Sequence, residues 1–259
     1  MNDVYQELFS IRGKTAVVTG GTRGIGYMIA EAFVRAGVKV YLSSRKESAV
    51  ESAVSALTEH GSCVGIPADL STEAECRRLA AEVAALEPTI DILVNNAGAT
   101  WGAPLDDYDD AAWSRVLDLN VKAIFHLTKF LRPQLEAAST PEDPSRVINV
   151  GSIDGIKVPL LETYAYSASK AAVHQLTRHL AKRLAPKITV NAIAPGPFES
   201  KMMAATLAAA GDAIAQGAPM KRIGKPTDMA GVAIYLASPA ASYVTGVIIP
   251  VDGGIATVS

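Results

Sequence analysis

The sequence predicts a single α/β domain: a doubly wound parallel sheet of about seven strands with helices on both faces. Three observations predict it. Short β-branched runs alternate with longer helical stretches along the chain. Most of those runs are apolar nearly throughout, the pattern of a strand covered on both faces. The chain has 259 residues, 49% of them hydrophobic, enough for one sizeable core. No internal repeat or low-complexity linker divides it, so residues 1–259 read as one domain.

The strand candidates are 15–19, 38–43, 63–67, 90–94, 146–150, 188–193 and 246–251. Between them lie helical candidates at 24–36, 47–59, 72–86, 111–137 and 164–184. Two segments break the rhythm. Residues 139–144 form a polar, proline-bearing loop that reads as a solvated connector. Residues 197–225 are long for a connection and carry a helical core at 202–214, which fits a substrate lid.

The formal net charge is −2, without the clustered basic face of a nucleic-acid binder. Cys63 and Cys76 stand in no metal-ligand or redox spacing, and no metal site is expected. The N-terminus is acidic and lacks the order of a signal peptide, and no apolar run approaches a membrane span. A cytoplasmic protein is expected.

Thr19-Gly20-Gly21-Thr22-Arg23-Gly24-Ile25-Gly26 follows the first strand and opens the first long helix. Glycines permit a tight turn and close approach to a pyrophosphate at a helix N-terminus, the Rossmann arrangement. Gly20, Thr22, Arg23, Gly24, Ile25 and Gly26 are therefore candidate cofactor contacts. A carboxylate at the end of the second strand would favour NAD. Here Ser44-Arg45-Lys46 stands instead, and Arg45, with Arg23, suits the 2′-phosphate of NADP. Arg45 and Lys46 also suit the start of a solvated helix. Asp69, with Leu70 beside it, follows the third strand and suits the adenine. Asn95-Asn96-Ala97-Gly98 follows the fourth, with Asn95 expected to be structural and Asn96, Ala97 and Gly98 nearer the cofactor.

Tyr166 is the only tyrosine followed by Lys four residues on, Lys170, which puts both on one helical face. A neighbouring ammonium is expected to lower the phenol's pKa and make it a usable acid or base. Ser152 ends the fifth strand, where its hydroxyl suits a carbonyl oxygen; a turn cap is the alternative.

These residues together resemble the short-chain dehydrogenase/reductase family over nearly the whole chain: the glycine turn, Asn95 to Gly98, Asn120, Ser152, Tyr166, Lys170 and Pro195-Gly196. The resemblance implies Tyr166 as acid/base, Ser152 as carbonyl binder, Lys170 as ribose and proton-relay partner, and Asn120 as anchor of a water leading to Lys170. Pattern alone does not select Asn120, since a mid-helix asparagine is more often solvated. The resemblance also implies cofactor contacts at Pro195, Gly196, and Ser200, where the family usually has Thr.

Within the family the chain is most similar to bacterial 3-oxoacyl reductases of the rhamnolipid-associated branch. That implies NADPH-dependent reduction of a ketone, plausibly a 3-oxoacyl thioester on acyl carrier protein or CoA, by a homotetramer. Lys201, Lys221 and Arg222 suit either a phosphate-bearing carrier or plain solvation. Met202, Met203, Leu207 and Ile214 form an apolar stripe on the lid, with Trp101, Leu160 and Leu161 expected nearby. The alternatives are a dehydrogenase of another secondary alcohol (sugar acid, steroid or cyclic alcohol) and a dinucleotide-binding sensor. The Ser-Tyr-Lys-Asn set argues against the sensor, which needs no proton donor.

Overall fold

The computed structural model describes residues 3–258; Met1 and Asn2 of the acidic N-terminus, and Ser259, lie outside the described residues. In chain order the main elements are α1 (Val4–Phe9), β1 (Thr15–Thr19), α2 (Gly24–Arg35), β2 (Lys39–Ser44), α3 (Glu47–Thr58), β3 (Cys63–Pro67) and α4 (Glu73–Leu86). They continue with β4 (Ile92–Asn95), α5 (Asp110–Leu117), α6 (Ala123–Ala138), β5 (Ser145–Val150), α7 (Tyr164–Leu184) and β6 (Ile188–Pro195). The last are α8 (Ala204–Gly217), α9 (Pro226–Ala237) and β7 (Ile248–Val251).

The seven strands form one sheet in the order β3-β2-β1-β4-β5-β6-β7, and every pairing is parallel. The chain runs outward from β1 to β3, then crosses back to place β4 on the other side of β1. That reversal opens a crevice at the C-terminal ends of β1 and β4, where open sheets bind ligands.

Strand residues feed two core layers in alternation, as the two-residue period of a strand requires. Ala16, Val18, Val40, Leu42, Ile92 and Val94 pack with Ile29 and Phe33 of α2, Leu57 of α3 and Met229 and Leu236 of α9. Val17, Tyr41, Leu93 and Val147 pack on the opposite face with Leu79 of α4, Leu127 and Leu131 of α6 and Leu180 of α7. Each fully buried Leu, Ile or Phe contributes about 1.5–3 kcal/mol relative to exposure. This doubly wound, double-faced sheet is the predicted architecture, and each strand boundary lies within two residues of its expected place.

Three local expectations differ. The single helix expected over 111–137 is two helices, α5 and α6, joined by one wide π-helical turn at Asp118–Lys122. Helical periodicity runs through such a turn almost undisturbed, so composition did not expose it. Next, α1 was not anticipated: it is six residues long and buries none of them, which leaves no periodic apolar signal.

The third is the 139–144 loop, which is more than a solvated connector. Its Asp143 pairs with Lys14 and, at 2.7 Å, with Arg146. Arg146 is only 1% exposed at the start of β5, and also donates to the Ser238 carbonyl at 3.1 Å. Its Nε and Nη1 have no partner among the described residues, so Asp143 is its principal compensation. A buried charge stripped of its partner is strongly destabilising. Asp143→Ala should therefore lower stability by about 2 kcal/mol, a figure discounted because Asp143 is partly exposed. Urea unfolding would register this as a fall in midpoint; an unchanged midpoint would remove the clamp.

Candidate active site

The glycine turn is locked to the end of β4 by side-chain hydrogen bonds. The Thr19 hydroxyl accepts from the backbone N–H groups of Asn96 and Ala97, both at 3.0 Å, and donates to the Val94 carbonyl at 3.3 Å. In return the Asn96 amide donates to the carbonyls of Thr19 and Gly20 at 2.9 and 3.1 Å. This closeness needs glycine: a Cβ at Gly20, where φ is +63°, would stand 2.8 Å from Asn96 Nδ2, and one at Gly26 only 2.3 Å from it. Asn96, expected nearer the cofactor, thus spends its side-chain donors on holding the turn. Asn95 is structural, as expected: it is buried and donates to Asn149 Oδ1 at 2.9 Å.

Around this turn the other cofactor candidates collect at the C-terminal end of the sheet. Arg23 and Arg45 are both exposed, and their guanidinium groups engage no hydrogen bond or ion pair among the described residues, so their charges remain available. Ser44 ends β2, half-buried between them and the core. Asp69 is exposed, its carboxylate accepting from the Ser71 amide at 3.2 Å. The Leu70 side chain is buried in the core, which leaves its backbone to face a ligand. Pro195 ends β6, and Gly196 is pressed against Asp252. Ser200 lies across the crevice against the glycine turn, 3.1 Å from where a Gly24 Cβ would be. An open, glycine-floored crevice with two unpaired guanidinium groups fits a phosphorylated dinucleotide.

Ser152, Tyr166 and Lys170 meet beside that crevice. Ser152 follows β5, its hydroxyl oxygen accepts from the Asp154 amide at 3.1 Å, and the hydroxyl lies close enough to the Tyr166 phenol to lower its pKa. It is therefore both the turn cap and the site hydroxyl. Tyr166 lies in the first turn of α7. That helix has no side-chain cap of its own; the Tyr108 hydroxyl accepts from the Ala165 amide at 3.1 Å and packs edge-on to Tyr164. Lys170 is buried one turn on, with Nζ 5.5 Å from the Tyr166 ring centre and donating to the Val150 carbonyl at 2.8 Å.

The electrostatics reverse the expected sign for the phenol. Burial pushes the Tyr166 pKa up to about 12 despite the Ser152 hydrogen bond, with Asp154 adding to the rise. Burial also pulls Lys170 down to about 8, against the attraction of Asp154. Desolvation disfavours both charged forms, and on the phenol it outweighs the lowering effect of the Ser152 hydroxyl.

Asn120 sits on the π-helical turn, a feature that recurs at functional sites. Its Oδ1 accepts from the Ala99 amide at 2.8 Å, and its Nδ2 donates to the Ala99 carbonyl and to Ser169 Oγ, both at 2.9 Å. A Cβ at Gly98 would lie 3.2 Å from Asn120 Oδ1 and 3.8 Å from Lys170 Nζ, so both groups face one spot. The sequence pattern missed Thr19, Asn149, Asp154 and His174. The Thr at the end of the first strand, directly before the glycines, was the one available signal.

The segment around α8 is thinly held. Helix α8 buries none of its residues and breaks at Ala210, with φ −145° and ψ 20°. Leu160, Leu161, Trp101 and Met202 are exposed at the rim. Of the three cations considered for a carrier, Arg222 is bound to Asp228 through two hydrogen bonds and Lys221 donates to the Gln216 carbonyl. Both are engaged within the chain, which favours the plainer alternative. Among the described residues, no helix is long and apolar enough to cross a membrane, and no group of three His, Cys, Asp or Glu could hold a metal ion.

Comparison with known proteins agrees with this geometry. A family model described as enoyl-(acyl carrier protein) reductase matches residues 20–256. The rhamnolipids biosynthesis 3-oxoacyl-[acyl-carrier-protein] reductase of Pseudomonas aeruginosa is 47% identical over 249 residues, which cover 95% of this chain and 97% of that protein. The structure of the Pseudomonas aeruginosa RhlG/NADP active-site complex superposes with a TM-score of 0.92 at 45% identity, covering 96% of this chain and 98% of that one. A gluconate 5-dehydrogenase from Burkholderia cenocepacia, in complex with NADP and tartrate, gives 0.90 at 29% identity, covering 98% and 99%. With its parallel sheet, its glycine turn and the Ser152, Tyr166 and Lys170 cluster, the chain belongs to the short-chain dehydrogenase/reductase family.

Proposed function

We propose that this protein reduces the ketone of a 3-oxoacyl thioester to the secondary alcohol with NADPH. The observation that carries the reading is the convergence of Ser152, Tyr166 and Lys170 beside a glycine-floored crevice, in a chain 47% identical to a 3-oxoacyl-[acyl-carrier-protein] reductase.

Residues Gly20, Thr22, Arg23, Gly24, Ile25 and Gly26 would hold the pyrophosphate, Arg23 and Arg45 with Ser44 the 2′-phosphate, and Asp69 and the Leu70 backbone the adenine. Ala97 and Gly98, beside the Asn96 lock, would border the ribose held by Tyr166 and Lys170. Pro195, Gly196 and Ser200 would hold the nicotinamide end. The bound cofactor supplies the hydride.

The chain's own residues supply position and proton. Ser152 holds the ketone oxygen while the Tyr166 O–H bond breaks and its proton passes to that oxygen. With its pKa raised, Tyr166 is fully protonated at neutral pH, the form that a reduction consumes. The phenolate left behind is stabilised by the Ser152 hydroxyl and the Lys170 ammonium until a proton returns through the Lys170 and Asn120 side. We infer a cytoplasmic homotetramer, with residues 197–225 as a substrate lid. A monomer by light scattering would remove the assembly.

NADPH oxidation should be fastest with 3-oxoacyl thioesters on acyl carrier protein or CoA. A rate favouring gluconate-type acids or galactitol-type polyols would move the assignment to another secondary alcohol. Tyr166→Phe should cut kcat by at least about 100-fold while NADPH binding, read by fluorescence, stays nearly intact. Retained turnover would sink the proton-donor role. Arg45→Asp should shift the NADPH/NADH preference by about 10- to 100-fold toward NADH, the value of one charge-assisted hydrogen bond. An unchanged ratio would show that the 2′-phosphate is held elsewhere.

A further inference from the structure

Lys170 is an ammonium in an unusual position. It is 5% exposed, its one hydrogen bond goes to the neutral Val150 carbonyl, and it stands in no ion pair among the described residues. A cation removed from water needs a counter-charge if it is to stay a cation.

The groups that face it come from three places. On its own helix are Tyr166, a neutral phenol, and His174 one turn below. His174 is buried, its Nε2 has no partner and points at Gly151, and burial lowers it to about 4, so it brings no charge at neutral pH. Arg178, the next turn on, acts on His174. From the end of β5 comes only the carbonyl. From the short 3₁₀ turn at Ile153–Gly155 comes the carboxylate of Asp154, with Lys157 just beyond it.

That turn is pressed onto α7 at the Lys170 position. A Cβ on Gly155 would lie 2.6 Å from the Lys170 carbonyl carbon and 2.7 Å from the Ala171 nitrogen. The Asp154 amide is fixed to Ser152 Oγ, so Asp154 is held at both ends, beside the reacting hydroxyls. Its carboxylate is half-buried yet accepts no hydrogen bond among the described residues. Every other half-buried acid is engaged: Asp91 by the Thr15 amide, Asp143 by Lys14 and Arg146, Asp252 by the Gly254 and Ala256 amides, and the remaining six by an arginine or lysine. Asp154 alone among the half-buried acids accepts no hydrogen bond and stands in no ion pair among the described residues, and it rides on the turn that leans on the Lys170 position.

We propose that Asp154 is a positioning residue for the reduction: its carboxylate is the counter-charge that keeps Lys170 an ammonium and Tyr166 a phenol, and so sets the alkaline limit of activity. The inference rests on the proposed reading of Tyr166 and Lys170. The sign is the same for both partners. An anion favours the protonated ammonium and the protonated phenol, so removing it lets each lose its proton at lower pH.

The test is the pH profile of kcat/KM for the thioester at saturating NADPH. In Asp154→Asn the alkaline limb should move about one pH unit lower, and the rate lost at neutral pH should recover as pH falls. NADPH affinity, read by fluorescence, should weaken over the same shifted range, and Asp154→Glu should restore most of the wild-type profile. An alkaline limb unmoved within about 0.2 unit, or a loss equal at every pH, would overturn the proposal. Should the asparagine variant fail to fold, Asp154→Ser gives the same reading. The two levels separate cleanly: activity surviving in Tyr166→Phe refutes the parent reading, whereas a dead Tyr166→Phe beside an unmoved limb in Asp154→Asn refutes this one alone.

Discussion

A row of buried side-chain hydrogen bonds across the C-terminal ends of β1, β4 and β5 holds the site together. Thr19 ties the glycine turn to the β4 end, Asn95 joins β4 to Asn149 of β5, and Asn149 donates at 2.9 Å to Thr177 of α7. Asn120 then ties the 99 loop to Ser169, which neighbours Lys170. Each of these groups would cost about 1–3 kcal/mol if left buried and unpaired, so the row enforces one register among three strands and two helices. Parallel pairing alone would set the strands in order. It would not fix the crevice floor relative to Tyr166, and that distance is what a hydride and a proton converging on one carbonyl require.

The parts of this arrangement with a periodic signature were legible in the sequence. Strands buried on both faces read as apolar runs, and the glycine turn and the Tyr166–Lys170 spacing follow from helix and turn geometry. What escaped has no period. The π-helical turn inserts into an otherwise helical pattern, and a side chain such as Asn96 donates backward to carbonyls more than seventy residues away. The Asp143 clamp on Arg146 looked like loop composition because its partner's burial depends on the Ser238 segment across the fold. Asp154 was equally invisible: nothing in Ser152-Ile153-Asp154-Gly155 says that the turn will lean on Lys170.

The phenol shows the same limit in energetic form. Spacing places a cation near Tyr166, and Coulomb's law then predicts a lower pKa. Dielectric environment is a property of the whole fold, and here desolvation is the largest effect on both groups, leaving the phenol near 12 and the ammonium near 8. The order of these values suits reduction. A donor must hold its proton until hydride arrival builds negative charge on the oxygen, and a phenol ionised beforehand has nothing to give. The ammonium serves a later moment, when the phenolate has formed and an uncompensated second charge would be costly.

The segment proposed as a substrate lid is the opposite kind of structure. Ser152, Tyr166 and Lys170 are held by a densely hydrogen-bonded polar row, whereas α8 buries no residue and Leu160, Leu161 and Met202 stand open to water. Few contacts mean a low cost to rearrange, so this segment can adapt to a ligand without disturbing the strand ends. Apolar surface left exposed here is free energy still to be gained, at roughly 25 cal/mol per Å² covered. An acyl chain lying on this rim would collect it without demanding hydrogen bonds, which a polyol would need and these side chains do not offer. The proposed division of labour thus follows from the physics of each region: hydrogen-bonded polar groups where the chemistry tolerates no play, and loosely held apolar ones where a ligand would complete the packing.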